Sequence, residues 1–246
     1  MDALKEPAVA LPMRRFDAPR WEGQPPPARV HVHAEAGSGD NIAMVRYLPL
    51  LRDAGYDVRY EAQDDMVDLV RRSMPGVKVV PKAADYPGVY GLEPFDFHLP
   101  IGGLQHAFRT TLETVPWDGP YLSADPVLKD RYRGKLAKWK KNRKVGLCWS
   151  SGIRLNDSAW LAEYGRRKSM HFDDMVDLLE CGGLFVSLQV GPERGQPGPG
   201  EVLDLLPENP TWDDTAALVA NLDLVVTVDT GLAHLAGAQG KPDWVV

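Results

Sequence analysis

The stretch DLVVTVDTGLAHLAGAQGKP, residues 223–242, decides how this chain is interpreted. An apolar run over residues 224–228 is typical of a buried strand, and it stops at Asp229-Thr230-Gly231. Small residues at helical spacing follow at once, with His234 in the first turn. The pattern predicts a strand that leads directly into the N-terminus of a helix.

Two interpretations of this junction stay open. The first N–H groups of a helix have no partner within the helix, and the helix dipole is positive there, so an anion such as phosphate binds readily. Gly231 has no side chain to block a ligand, Thr230 adds a hydroxyl, and His234 adds a donor. The alternative is plain helix capping by Asp229 or Thr230, with Asp229 opposing phosphate unless it binds sugar hydroxyls or a backbone amide.

Composition limits the possible classes of protein. The 246 residues carry a formal net charge of −6, which disfavours general nucleic-acid binding but allows a local basic site. Two cysteines, Cys148 and Cys181, are too few for a disulfide framework and suit a reducing cytoplasm. We find no apolar run long enough to span a membrane and no signal-peptide pattern, and we expect a cytoplasmic protein.

Strands alternate with helices along most of the chain, which predicts an α/β fold with mostly parallel sheets. Residues 1–28 are rich in proline and arginine and are expected to form an arm or linker. Regularity fades between residues 102 and 126, where we place a domain junction. We therefore predict one domain over residues 29–125 and a second over 126–246.

Local signals predict several helix boundaries. Residues 41–55 show the spacing of one amphipathic helix, with Gly55 as its C-cap. Asp64, Asp125 and either Asp213 or Asp214 are expected as N-caps. Residues 243–246 are expected to start a further strand.

A glycine loop, AEAGSGDNI, follows the first predicted strand. Gly37 and Gly39 can adopt backbone angles closed to other residues and leave room for close approach. The match to the dinucleotide fingerprint is partial, because Ile42 stands where a third glycine or alanine belongs. Asp40 is either the N-cap of the following helix or a general base facing the crevice between the domains.

A second polar group follows the strand KVGLCWS. Ser150 and Ser151 come directly after this strand, and the basic residues Arg166, Arg167 and Lys168 end the long segment 151–168. Hydroxyls, backbone amides and a local cluster of positive charge suit a pyrophosphate. The alternative is an ordinary solvated loop.

Two further groups point less clearly to chemistry. His31, His33 and Glu35 share one face of a strand and could bind zinc, but a fourth ligand and a recognisable spacing are missing. Cys148 and His171 could form a nucleophile and its base, but Cys148 lies in an apolar strand and is better explained as a buried structural cysteine.

Taken together, these stretches resemble glycosyltransferase family 9, the heptosyltransferase-like enzymes, and in particular the branch often fused to tetratricopeptide repeats. The resemblance runs from about residue 19 to the last residue. It rests on the stretches PRWEGQP, HAEAGSGD, FDFHLPIGGL, TTLETVPWDGPYLSADP, VGLCWSSG, RRKSM, FVSLQ and, most specifically, DTAALVANLDLVVTVDTGLAHLAGAQGKP.

The resemblance implies a GT-B-like fold of two Rossmann-like domains facing a cleft, and a metal-independent, inverting glycosyltransferase without a cofactor. A nucleotide-diphosphate sugar would bind mainly to the second domain, and a saccharide, lipid-linked or protein acceptor to the first. Asp40 matches the proposed general base and Lys168 a basic residue near the donor phosphates. Asp229, Thr230, Gly231 and His234 match the donor-binding motif DTG-x-x-H.

The sequence also departs from the family pattern. Residues 158–167 separate Asn156-Asp157 from Lys168-Ser169, which relatives keep close together, and no repeats precede residue 19. The family normally continues beyond GKPDWVV, so we expect an incomplete second domain, possible association through it, and weak or absent activity. An inactive binding or scaffold module and a nucleotide-sugar epimerase are the alternative functions.

Overall fold

Two separate parallel sheets organise the chain. The computed structural model describes residues 16–82, 94–151, 159–197, 200 and 202–246. The strands of the first sheet are β1 Arg29–His33, β2 Asp57–Ala62, β3 Lys78–Pro81 and β4 Phe97–Pro100. Those of the second are β5 Lys144–Cys148, β6 Leu184–Ser187, β7 Leu203–Asp204, β8 Leu224–Thr227 and β9 Asp243–Val245.

Helices occupy most of the connections between these strands. In chain order they are α1 Ser38–Met44, α2 Leu48–Asp53, α3 Val67–Ser73, α4 Gly103–Ala107, α5 Pro126–Lys135, α6 Ala159–Arg167, α7 Val176–Leu179, α8 Trp212–Val219 and α9 Gly231–Ala238. Short 3₁₀ turns join or extend several of them, including residues 45–47, 64–66 and 172–175. Among the described residues no helix is both long enough and apolar enough to cross a bilayer.

In open parallel sheets, ligands bind where the strand order reverses, and each of these two sheets has such a reversal point. The first sheet has the order β3-β2-β1-β4 and the second β7-β6-β5-β8-β9, with every pairing parallel. The order reverses beside β1 in one sheet and beside β5 in the other, and the loops leaving such strands border a crevice. The glycine loop follows β1, Ser150 follows β5, and Asp229 follows β8, so these predicted site segments all leave strands at a reversal point.

The apolar core covers the central strands of the first sheet on both faces, as is usual for parallel sheets. In β1 and β2 every residue after the first is buried, as expected for strands covered on both faces. The largest buried cluster runs from Val30 in the first sheet through Leu122 and Tyr132 to Leu235 in α9, so it is continuous between the two halves of the chain. A smaller cluster around Trp149 and Phe172 covers the other face of the second sheet.

The helix predicted over residues 41–55 is wrong in one respect. The structure divides this region into α1, a 3₁₀ turn and α2, with Pro49 in the first turn of α2. Proline has no N–H, and its ring clashes with the carbonyl four residues earlier, so an unbroken helix cannot pass through Pro49. Gly55 does end the segment, with a φ of +95° directly after the last helical turn.

Two of the predicted N-caps are also wrong, and one is confirmed. Asp64 lies inside the first turn of its segment, which Gln63 precedes. Thr211, rather than Asp213 or Asp214, caps α8, because its hydroxyl accepts the N–H of Asp214 at 3.3 Å. Asp125 caps α5 as predicted, with a carboxylate oxygen 2.8 Å from the N–H of Leu128. A threonine hydroxyl can cap a helix as an aspartate carboxylate does, so the sequence pattern alone did not distinguish Thr211 from Asp213 and Asp214.

The segment predicted as a long loop over residues 151–168 contains α6, which ends at Arg167. The stretch Gly152–Ser158 lies outside the described residues. Of the other predicted strands, the one at residues 243–246 is confirmed, because β9 pairs with β8 at the end of the second sheet. The side chains of Trp244, Val245 and Val246 are exposed there.

A partly buried arginine joins the two halves of the chain. Arg72 at the end of α3 forms ion pairs with Asp213 of α8 and, at 3.4 Å, with Asp125. Its Nε also donates to the carbonyl of Ser123 at 3.1 Å. Ser123 and Asp125 belong to the segment that connects the two halves, and Asp213 belongs to the half that carries the second sheet. Arg72 therefore fixes one half against the other.

We expect Arg72→Met to lower the free energy of unfolding by about 1 to 2 kcal/mol, because two carboxylates and a carbonyl lose a charged donor. Urea denaturation followed by circular dichroism measures this. Arg71→Met is the matched control, since Arg71 pairs with Asp68 on its own helix, where both side chains are more than half exposed. Equal stability of the two variants would show that Arg72 contributes no more than a surface ion pair.

Candidate functional site

Buried polar groups hold the loop after β1 in one conformation. The side-chain amide of Asn41, itself fully buried, donates to the carbonyls of Glu35 at 2.6 Å and Gly37 at 2.7 Å. Its oxygen accepts the hydroxyl of Tyr60 at 3.0 Å, and burial raises the pKa of this tyrosine, so Tyr60 remains a donor. Asn41 was not predicted as part of the site, although an asparagine directly after the GSGD stretch was visible in the sequence.

Asp40 caps its helix from inside the first turn. The N-cap position belongs to Gly37, so the prediction of Asp40 as N-cap is wrong by three residues. The Oδ2 of Asp40 accepts the backbone N–H of Gly37 at 3.1 Å, which orients the carboxylate. Asp40 is exposed at the edge of the first sheet where the strands end.

The two loop glycines have ordinary backbone angles, and only Gly39 is needed for space. Neither Gly37 nor Gly39 has a positive φ, and the left-handed conformation falls on Ala36 instead, with φ 54°. The conformational freedom of glycine is therefore not used at either position. A Cβ on Gly37 would be 3.4 Å from Asp40, which is ordinary contact. Gly39 has much less room.

The N-termini of α1 and α9 are in direct contact. A Cβ built on Gly39 would lie 2.9 Å from Cδ2 of His234 and 3.0 Å from Cα of Gly231. A Cβ on Gly231 would lie 2.8 Å from Cη2 of Trp212 and 3.2 Å from the nitrogen of Gly39. Glycine at both positions thus allows the two helices to meet. The contact places Gly39, which precedes the predicted base Asp40, against Gly231 of the predicted donor motif.

Capping within the DTG motif is done by its threonine. The Thr230 hydroxyl accepts the N–H of Leu232 at 3.3 Å, so of the two candidate caps Thr230 is the one observed. Asp229 and His234 are both exposed at this end of α9. The motif therefore presents a carboxylate, an imidazole and the first N–H groups of the helix at one place.

Lys168, which belongs to the second polar group predicted from the sequence, also lies beside the DTG motif. Its ammonium group lies 2.8 Å from Oδ2 of Asp229 and 4.8 Å from the ring centre of Tyr164. Burial lowers the pKa of Lys168, but the hydrogen bond and charge of Asp229, helped by Tyr164, outweigh burial and raise the pKa above its ordinary value. Lys168 is therefore a permanent positive charge beside the DTG motif.

Backbone contacts bring Lys168 to this position. The N–H of Met170 donates to the carbonyl of Trp149 at 2.9 Å, and the Ser169 hydroxyl accepts the N–H of Ser151 at 2.9 Å. The two arginines that precede Lys168 in the basic cluster behave differently, because Arg166 and Arg167 both pair with Glu163 on α6. The structure thus distinguishes Lys168 from its two neighbours.

Ser150 and Ser151 lie next to this cluster but are engaged in its internal hydrogen bonds. Gln189 accepts the N–H of Ser150 at 2.9 Å, and the hydroxyls of Ser150 and Ser169 are 3.1 Å apart. Gln189 is 1% exposed and also bonds the N–H of Trp149, so it shapes the loop after β5. Sequence reasoning missed Gln189, whose only signal was a polar residue inside the apolar stretch LFVSLQV.

The two groups that the sequence left as weaker candidates have structural roles. His31 is fully buried between Arg59, whose Nε donates to Nδ1 at 3.2 Å, and Glu61, 3.4 Å from Nε2. Cys148 is buried, and burial raises the pKa of its thiol to about 11. His171 caps a 3₁₀ turn by accepting the N–H of Asp173 at 3.3 Å. In the described ranges, no three His, Cys, Asp or Glu residues are arranged to hold a metal ion.

Two parallel sheets of Rossmann-like strand order, whose loop-and-helix junctions meet between them, define a GT-B-like α/β fold. Comparison with known proteins relates one segment of the chain to a family. Residues 202–244 match the sequence profile of glycosyltransferase family 9 (heptosyltransferase). This chain therefore carries the family 9 signature on a heptosyltransferase-like fold, as the sequence resemblance predicted.

Individual proteins are similar to the chain over most of its length. Protein FlbA of Caulobacter vibrioides is 31% identical over 93% of this chain and 41% of its own length, so the chain spans about two fifths of that protein. ADP-heptose LPS heptosyltransferase II of E. coli has a TM-score of 0.61 at 14% identity, over 87% of this chain and 83% of that one. E. coli heptosyltransferase WaaC, solved with ADP-2-deoxy-2-fluoro heptose, has a TM-score of 0.52 at 15% identity, over 87% of each chain.

We expect Gly39→Ala to destabilise the protein by about 1 to 3 kcal/mol, because the new methyl group must displace the backbone of Gly231 or the ring of His234. Chemical denaturation measures the loss. Gly37→Ala is the control, since its methyl group would meet only ordinary contact at a compatible backbone angle. If both variants unfold at the same denaturant concentration, the helix contact is looser than the structure indicates.

Burial and a raised pKa should make Cys148 unreactive toward a thiol reagent at neutral pH, because only the thiolate attacks. Cys181 is exposed and should react. Titration with a chromogenic disulfide should therefore count one thiol in the folded protein and a second one after denaturation. Rapid reaction of a Cys181→Ser variant in native buffer would contradict a structural role for Cys148.

Proposed function

We propose that this chain is a metal-independent, inverting glycosyltransferase that uses a nucleotide-diphosphate sugar. The observation that carries the proposal is the contact between the N-termini of α1 and α9, which brings Asp40 of one half close to the DTG motif of the other. A group-transfer enzyme needs a base and a leaving-group site on opposite sides of one reacting carbon, and this contact supports such an arrangement.

The roles follow from the chemistry of each group. Asp40 takes the proton of an acceptor hydroxyl while the hydroxyl oxygen attacks the anomeric carbon. The bond from that carbon to the diphosphate breaks, and the nucleoside diphosphate leaves with the electron pair. Lys168 and the first N–H groups of α9 stabilise the negative charge that develops, because fixed charges and dipoles need no reorganisation during the step.

Asp229 has a further role in this proposal. Its carboxylate holds the ammonium group of Lys168 at 2.8 Å while it is itself 61% exposed. Lys168 is 25% exposed, so solvent reaches both partners of the ion pair, and a pair open to solvent is worth only about 0.2 to 1 kcal/mol. A diphosphate can therefore take over Lys168 at little cost. Asp229 is then available to sugar hydroxyls, which removes the objection that its charge opposes phosphate.

The first donor to test is ADP-heptose, because E. coli WaaC was solved with an analogue of it and TibC with ADP-D-beta-D-heptose. ADP release should be measured with saccharide, lipid-linked and protein acceptors offered in parallel. Release that depends on an acceptor supports transfer. Conversion of the sugar without an acceptor would indicate an epimerase, and binding without any product an inactive module.

Asp40→Asn should reduce transfer by a factor of about 10² to 10⁴ while leaving the fold intact, because asparagine can still accept the Gly37 N–H but cannot take a proton. Initial rates of ADP release at saturating donor measure the effect. Asp64→Asn is the matched control, an exposed carboxylate just beyond the end of β2. Full activity of Asp40→Asn would exclude Asp40 as the base.

Lys168→Met should weaken the binding of ADP by about tenfold or more, because one charge-assisted contact to the diphosphate is lost. Isothermal titration calorimetry gives the dissociation constant. Arg167→Met removes the same charge one residue away, where the side chain pairs with Glu163, and should bind ADP as the unmodified chain does. Thr230 and Gly231 make poor probes of donor binding, because both also have structural contacts. Unchanged affinity of Lys168→Met would separate Lys168 from the donor site.

A further inference from the structure

One surface of the chain has a charge opposite to that of the whole. Residues 129–144, called here the basic segment, contain nine lysines and arginines and one acidic residue, a net charge of +8. The whole chain carries −6, so all other residues together carry −14. The segment covers most of α5, the turn after it and the first residue of β5, and every basic side chain in it except the half-exposed Lys144 is exposed.

Three exposed arginines outside the segment pair with acids on the same helix. Arg71 pairs with Asp68, and Arg166 and Arg167 pair with Glu163. In the basic segment only Arg133 has such a partner, Asp130 at 3.0 Å, as far as the described residues extend. An ordinary solvated helix mixes both signs of charge, and this segment does not.

The basic segment lies away from the proposed donor site. Lys144 starts β5, and Ser150 follows the other end of the same strand. Five residues of strand span about 16 Å, so the segment borders the opposite edge of the second sheet. A partner bound there would leave the crevice between the two halves accessible.

We propose that the basic segment docks the protein on an anionic lipid surface. A lysine-rich cluster attracts lipid headgroup phosphates through charge alone, without a shaped pocket. The region fits this requirement, since Lys141, Asn142 and Arg143 line only a shallow, open depression, in which they outnumber its one acidic residue, Asp223. Screening over about 8 Å at physiological ionic strength means that acidic residues on other faces oppose the contact only weakly.

Other anionic partners fit less well. Lysine is depleted in protein–protein interfaces, whereas here it is the commonest residue of the segment. Single-stranded nucleic acid is held by stacking its bases on exposed aromatic rings. The one tryptophan of the segment, Trp139, is half-buried, and the ammonium group of Lys138 lies 4.0 Å from its ring centre, so that ring face is occupied. A tryptophan flanked by lysines is instead typical of a membrane interface.

Co-sedimentation tests the proposal with the full chain, vesicles of phosphatidylcholine containing a minority of phosphatidylglycerol, and pure phosphatidylcholine vesicles. We expect binding to the anionic vesicles only, and less of it at high salt. The triple variant Lys138→Gln, Lys140→Gln, Lys141→Gln should bind about 100-fold more weakly, because each lysine near the surface contributes about fivefold. The assay needs no enzymatic activity, so its outcome is independent of the proposed function.

The matched control is the triple variant Arg71→Gln, Lys82→Gln, Arg109→Gln, which removes the same charge from exposed positions outside the segment. It should bind as the unmodified chain does, and thermal melting should show that both triple variants are folded. The proposal is overturned if the chain ignores anionic vesicles, or if both triple variants lose binding equally. It is also overturned if an RNA oligonucleotide binds the segment more tightly than the vesicles and displaces them.

Discussion

The close contact between the backbones of Gly39 and Gly231 is the constraint on which the rest of this structure depends. Each glycine starts or extends the first turn of a helix that leaves a central strand of its own sheet. Because the strands fix these helices, bringing the two N-termini together fixes one sheet against the other. Any larger side chain at either position would meet a backbone atom or the ring of Trp212.

Other contacts reinforce this arrangement along the length of the two helices. The Tyr121 hydroxyl donates to the carbonyl of Ile42 in α1, while the backbone N–H of Tyr121 donates to the carbonyl of Ala238 at the end of α9. The guanidinium of Arg46 lies 4.6 Å from the centre of the Tyr121 ring. Residues 115–125, which contain two prolines and no helix or strand, are thus held between α1 and α9. These contacts explain how an irregular stretch can fix the position of one half against the other.

Sequence reasoning recovered the positions of the site segments and the strands other than the two-residue β7, because both follow from short-range patterns. Apolar runs stop where strands stop, and parallel strands direct their following loops to one edge. It did not recover which residue caps each helix, as Thr211 and Asp40 show, since several polar residues within one turn satisfy the same N–H groups. Nor did it recover Asn41 or Gln189, whose roles depend on partners 19 to 40 residues away in sequence.

The reason for the loop glycines shows most clearly what a one-dimensional pattern lacks. A glycine after a strand suggests room for a ligand or an unusual backbone angle, and both explanations are local. In this chain the positive φ falls on Ala36. The space beside Gly39 is filled by Gly231 of α9, which lies 192 residues further along the chain. Both glycines stand in recognisable motifs of the sequence. Their packing against each other is visible only once the two sheets are folded together. Conservation of such a glycine would be compatible with packing alone, so the case for a ligand at this junction rests on the groups around it, Lys168 and Asp229 above all.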